Sequence, residues 1–224
     1  QTPALPCFRW DAAAVLTAVG ETRLTQGRLL GLLEALGFQE EVRVEAEALV
    51  QEALKTSEIE GERLSRDSVR SSVHRRLGLD AAGLPPPERS VDGLVEMLLD
   101  ATNNSDAPLT AERLKGWHAA LFPTGYSGLT KITVADWRPG PIQVVSGRAG
   151  RERVHYEAPP AERVPTEMER FLAWWESDRG SLEGLLRAGV AHLWFEVIHP
   201  FDDGNGRLGR AVAEMALAQA QGSR

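Results

Sequence analysis

The stretch HPFDDGNGRLGR, His199 to Arg210, interrupts two runs of helix-forming sequence near the C-terminal end of this 224-residue chain. Ahead of it, Leu182, Leu185, Leu186, Gly189, Val190, Leu193, Trp194 and Val197 recur at the three- and four-residue spacing of one helix face. This predicts a central core helix over about 182–198. His199-Pro200 ends it, because the residue before a proline is pushed out of the helical region. Beyond the bend, Leu208, Ala211, Val212 and Met215 resume the period. The expectation is a helix–loop–helix whose loop is framed by two packed helices, a setting that can hold chemical groups in place.

The loop has the parts of a phosphate-transfer site. Gly204, Asn205 and Gly206 leave the backbone bare just ahead of a helix N-terminus, where free N–H groups and the positive end of the helix dipole favour an anion. Arg207 and Arg210, three residues apart on the first turns, can fork onto phosphate oxygens. Asp203 offers a hard oxygen, and Mg²⁺ held by one carboxylate plus substrate phosphates is the usual arrangement for a nucleotide, so the metal is expected to enter with the ligand. His199, with an unperturbed pKa of about 6.5, is left to take a proton. Each residue also has a plainer reading: Asp203 as a helix cap, Arg210 paired with Glu214, His199 as a satisfied helix-end histidine, Asp202 as solvated. Against these stands the joint occurrence of every part, in order, within twelve residues. Gly204, Gly206 and Gly209 also spell G-x-G-x-x-G, but a dinucleotide fingerprint needs a preceding strand, and here a helix-period segment precedes it. A hydrolytic metal site on His199 and Asp203 lacks a further ligand at helical spacing.

Elsewhere helical periodicity dominates. It predicts an amphipathic helix or helix pair from Asp11 to about Gly37 (Val15, Val19, Leu29, Leu32, Leu33, Leu36) and a helix over about 41–60 (Val42, Ala46, Leu49, Ala53) closed by Gly61. Further helices are predicted at about 65–77, 90–103, 110–121 and 161–176. The segment 132–160 breaks the pattern. Ile142, Gln143, Val144 and Val145, then Val154, His155 and Tyr156, flank the turn-forming Ser146, Gly147 and Gly150, as in a β-hairpin. A lone hairpin must lie on a larger body, and its open edge can accept another extended chain. With 42 % hydrophobic residues the chain can bury a core, and a net charge of −7 argues against a general nucleic-acid or anionic-membrane binder. Cys7 has no partner for a disulfide, and no apolar run is long enough to span a membrane. These features point to a reducing compartment, the cytoplasm. Gln1 at the start points to a processed or trimmed form.

With these residues in hand, the chain resembles the Fic-domain family, whose signature HPFx(D/E)GNGRxxR is met at every specified position from His199 to Arg210. The resemblance implies a mainly α fold, a helical bundle of the Fic type with a β-hairpin flap over the active site. It implies transfer of AMP from ATP to a hydroxyl side chain of a target protein. By the same resemblance His199 deprotonates that hydroxyl, Asp203 holds Mg²⁺, and Gly204, Asn205 and Gly206 form the anion hole. Arg207 binds phosphates, Arg210 meets the γ-phosphate, and Phe201 anchors the loop. The flap residues named above would dock the target. Upstream, Thr56-Ser57-Glu58-Ile59-Glu60-Gly61 is similar to the family's inhibitory motif (S/T)xxxE(G/N), which implies that Thr56 and Glu60 are inhibitory and that Glu60 pairs with Arg210. The expected organisation is a helical extension over 1–40, an inhibitory segment over 41–64 and a Fic core over 65–224, truncated at its C-terminus. De-AMPylation, transfer of another nucleotide, and non-catalytic nucleotide binding are the alternatives. The target and the oligomeric state are left open.

Overall fold

The computed structural model describes residues 8–34, 38–146 and 153–222, and side chains within them except those of Glu34, Phe38, Gln39, Val144, Val145, Ser146 and His155. Eight α-helices lie among the described residues: α1 (Ala12–Glu34), α2 (Phe38–Ile59), α3 (Arg66–Arg76), α4 (Arg89–Asn103), α5 (Ala111–Leu121), α6 (Val164–Ser177), α7 (Gly184–Ile198) and α8 (Asn205–Gln221). Between α5 and α6 run two short antiparallel pairs, β1 (Tyr126–Ser127) with β2 (Thr130–Lys131), and β3 (Gln143–Ser146) with β4 (Arg153–Glu157). The fold is therefore mainly α with a small hairpin. The hairpin's turn, including Gly147 and Gly150, lies outside the described residues. No helix among the described residues is long and apolar enough to cross a membrane.

Local chemistry sets the helix ends. Ser65 and Thr110 cap α3 and α5 by accepting from the N–H groups of Ser68 and Arg113, and Glu183 caps α7 through Leu185 and Leu186. Gly61, at φ 80°, closes the turn after α2 in the left-handed region that glycine tolerates.

The core sits where α8 packs against both α7 and α4, with α2, α5 and α6 around them. From α8, Leu208, Ala211, Val212 and Met215 are fully buried, as the period predicts. For α7 the expected face is corrected. The buried side is Ala188, Ala191, Trp194, Phe195 and Ile198, together with Arg187, whereas Leu193 is 50 % exposed. Apolar residues lie all round this helix, and its close approach to α8 is made at glycines, Gly184 against Ala220 and Gly209 against His192 and Glu196. Arg187 enters the core because its guanidinium lies 4.1 Å over the Trp175 ring and Nη2 donates to the Trp175 carbonyl.

The stripe expected on α1 is corrected in part: Val15, Val19 and Leu33 are half-buried, but Leu29 and Leu32 are exposed, the last at 68 %, and Leu36 lies outside the described residues. This helix meets the body at a few points. Phe8, just ahead of it, packs edge-on against Trp194, and Arg23 Nε donates to Glu183 at 2.8 Å.

Candidate active site

Two unusual backbone conformations build the bend between α7 and α8. His199, the C-cap of α7, lies at φ 50° and ψ 63°, and Gly204, the N-cap of α8, at φ 79°. A non-glycine residue in the left-handed region costs roughly 1–2 kcal/mol, so His199 needs to be held from outside. Arg138, 2 % exposed, holds it. Its Nε donates to the His199 carbonyl at 2.7 Å, Nη1 to Gly140 at 2.6 Å and Nη2 to Pro159 at 2.6 Å. Its backbone N–H donates to the Pro200 carbonyl at 2.9 Å. One guanidinium thus ties the base of the β3–β4 hairpin to the histidine. Tyr156 adds a second tie, its hydroxyl donating to the Val197 carbonyl at 2.7 Å.

Phe201 is the buried anchor of the loop. Its ring stacks on His118, centroids 4.2 Å apart and 7° from parallel, and touches Trp137. His118 accepts at Nδ1 from the Ala135 N–H, so Nε2 carries the hydrogen and donates to the Asp203 carbonyl at 3.1 Å. Burial pushes its pKa down to about 4, which keeps this post uncharged near neutral pH.

Asn205 also serves the loop. Phe201 N–H donates to its Oδ1 at 2.9 Å and its Nδ2 donates to the Phe201 carbonyl at 2.8 Å, so the amide holds the loop backbone and keeps one Nδ2 hydrogen besides the backbone N–H. Gly204 provides no side chain to cap α8, and the first-turn N–H groups stay open. Asp203 accepts from the Gly204 N–H at 2.6 Å and from the Ser127 hydroxyl. Asp202 is half-buried rather than solvated, and accepts from the Thr133 N–H at 2.8 Å.

The arginines are both engaged by the end of α2 and the turn after it. Arg210 donates from Nε to the Thr56 hydroxyl at 2.5 Å, and from Nη2 to the Thr56 carbonyl at 3.1 Å and Glu60 Oε1 at 2.6 Å. It does not pair with Glu214, whose carboxyl burial raises above the usual range. Arg207, 5 % exposed, donates from Nη1 to Glu62 Oε2 at 2.8 Å and lies over the Phe122 ring. Glu60 also rests on the first turn of α8. A Cβ at Gly206 would stand 2.0 Å from its Oε1, so glycine is required for this approach. A carboxylate from α2 therefore lies at the helix end that the bare N–H groups make favourable to anions.

The structure brings His199, Asp203, the glycines, Arg207, Arg210, Thr56 and Glu60 to one place. Of the flap positions, Gln143 pairs with Glu157 and Val144 with Tyr156, with an irregularity between Val144 and Val145. The side chains of Val144, Val145 and His155 lie outside the described set. Arg138, His118, Ser127 and Glu62 were not picked out by the sequence. The only hint was the Trp137-Arg138-Pro139-Gly140 run just ahead of the hairpin.

Comparison with known proteins agrees with this architecture. Residues 108–217 match the model of the Fic/DOC family, and residues 1–79 match a domain of unknown function, DUF4172. Among curated relatives, a protein of Aquifex aeolicus (strain VF5) named a probable protein adenylyltransferase is 33 % identical over 64 residues, 29 % of this chain and 20 % of its own length. A uridine 5'-monophosphate transferase of Xanthomonas campestris pv. campestris (strain 8004) is 29 % identical over 119 residues, 50 % of this chain and 21 % of its own length. The chain thus spans about a fifth of these relatives. Among solved structures, a Fic family protein from Desulfovibrio desulfuricans G20 is 26 % identical with a TM-score of 0.64, over 95 % of this chain and 59 % of its own. A Fic domain-containing signaling protein from Bacteroides thetaiotaomicron VPI-5482 shares the fold at 20 % identity and a TM-score of 0.65, over 84 % of this chain and 69 % of its own. Through residues 108–217, which contain the bend at His199, the chain belongs to the Fic/DOC family.

Proposed function

We propose that this chain is a protein nucleotidyltransferase that moves AMP from ATP to a hydroxyl side chain of a target protein, and that Glu60 restrains it. The observation that carries the reading is the convergence on one bend of a proton acceptor, an uncapped helix N-terminus and two arginines. The target hydroxyl oxygen attacks the α-phosphorus of ATP, the bond from that phosphorus to the bridging oxygen breaks, and pyrophosphate leaves. His199 Nε2 takes the hydroxyl proton. The first-turn N–H groups of α8 and the two arginines hold the phosphate oxygens once Glu60 and Glu62 have moved away.

The donor set suits Mg²⁺. Asp203 is one hard carboxylate beside the anion site, and the described residues contain no cluster of three or more His, Cys, Asp or Glu that would hold a metal without phosphate oxygens. Bound there with the nucleotide, the ion would offset phosphate charge. The hairpin's place at the bend and its two-stranded sheet favour an extended target segment added at an open edge.

The test is incubation of the Glu60→Gly protein with ATP, CTP or UTP, candidate target lysate and Mg²⁺, followed by mass measurement of modified proteins. An AMP adduct with pyrophosphate release is expected with ATP, and none in Glu60→Gly/His199→Ala. Undiminished modification without His199, or a UMP adduct in place of AMP, would refute the reading as stated.

A further inference from the structure

We propose that Glu196 is a positioning residue for His199, fixing the imidazole so that Nε2 is the nitrogen open to the attacking hydroxyl. The inference rests on the nucleotidyl-transfer reading above. His192 and Glu196, four residues apart, share one face of α7, and His199 is the C-cap three residues beyond Glu196. Glu196 stands between the two rings. Its Oε2 lies 3.8 Å from His199 Nδ1, and its backbone carbonyl oxygen lies 3.3 Å from the same nitrogen. Two acceptors of one residue therefore face Nδ1, and the hydrogen belongs there.

The rest of the carboxylate is harder to explain as packing. Oε1 is buried without a hydrogen-bond partner, and so is Nδ1 of His192. Both press on Gly209, where a Cβ would stand 2.7 Å from the carboxylate oxygen and 3.1 Å from the His192 nitrogen. An incompletely partnered buried carboxylate destabilises a fold, so its place calls for another reason. The imidazolium formed when His199 accepts a proton supplies that reason, because it gives the carboxylate an opposite charge across the 3.8 Å gap. Burial raises the Glu196 pKa, His199, His192 and Arg210 lower it, and Glu60 raises it. Glu60 therefore acts twice: it engages Arg210, and its charge disfavours the ionised form of the group that orients the base.

Two readouts test the proposal on the full chain in the Glu60→Gly background. ¹⁵N NMR of the histidine rings reports the neutral tautomer of His199 without any substrate. Nδ1–H is expected with Glu196 present, a partial shift toward Nε2–H in Glu196→Ala, where the backbone carbonyl of residue 196 still faces Nδ1, and a smaller shift in the isosteric Glu196→Gln, which guards against misfolding of the alanine variant. In the transfer assay both variants should lose about tenfold in kcat, with the KM for ATP changed by less than about twofold. An unchanged tautomer in both variants overturns the inference whatever the activity. If the tautomer shifts while no protein transfers nucleotide, the positioning role stands and the enzymatic reading falls.

Discussion

Replacing Glu60 with glycine removes the carboxylate that both holds Arg210 and rests on Gly206. Hydrogen bonds to charged groups contribute about 1.5–3 kcal/mol each. The Glu60 and Arg210 side chains are 32 % and 20 % exposed, so water screens the pair and the lower end applies. A difference of about 1.4–2 kcal/mol raises the share of molecules with Arg210 free for phosphate by a factor of about ten to thirty, and the initial rate should rise with it. Arg207 remains held. Because Glu62 is 43 % exposed, its contact is worth at most about 1 kcal/mol, so adding Glu62→Ala should give no more than a further fivefold. Arg210→Ala should give no gain and should cancel that of Glu60→Gly in the double variant. The assay is the initial rate of self-modification or target labelling at saturating Mg²⁺ and sub-saturating ATP. Equal rates for the unmodified chain and Glu60→Gly, or a gain that survives Arg210→Ala, would refute the reasoning.

Asp203→Ala should abolish Mg²⁺-dependent turnover while costing about 1 kcal/mol of stability per lost acceptor contact, read by thermal unfolding; retained turnover with a much larger stability loss would make the residue purely structural. Val144→Pro, placed where β3 pairs with Tyr156, should impair protein modification far more than ATP binding measured by calorimetry, and equal loss of both would count against a docking flap. His118 has a folded pKa of about 4 against 6.5 unfolded, so between these values the unfolded chain binds the extra proton. Stability should therefore fall by about 3 kcal/mol as pH drops across that window, and urea unfolding of His118→Gln should show a flatter dependence; parallel curves would refute the assignment.

What the sequence disclosed divides along the range of the interactions. Helix spans were legible because Ser65, Thr110 and Gly61 mark ends locally and the apolar period repeats within each segment. The bend was legible because its glycines, acids and arginines are contiguous. The face of α7 was not, since leucines at 185, 186 and 193 outweigh the alanines at 188 and 191 in any count of hydrophobicity, although it is the alanines that are buried. The leucines of α1 follow a helical period, yet a period reports which residues share a face and not whether another element covers it. Arg138 and His118 were hidden for a different reason. Their partners include the backbone carbonyls of His199 and Asp203, 61 and 85 residues away, and backbone groups leave no trace in composition.

Thr56, Glu60 and Glu62 belong to the same polypeptide as the arginines they engage. The proposed restraint is therefore unimolecular: its extent would not change when the protein is diluted. On the proposed reading, raising the amount of protein would do little to activate it, whereas a factor that grips α2 and lifts the Glu60 turn from the bend would do most.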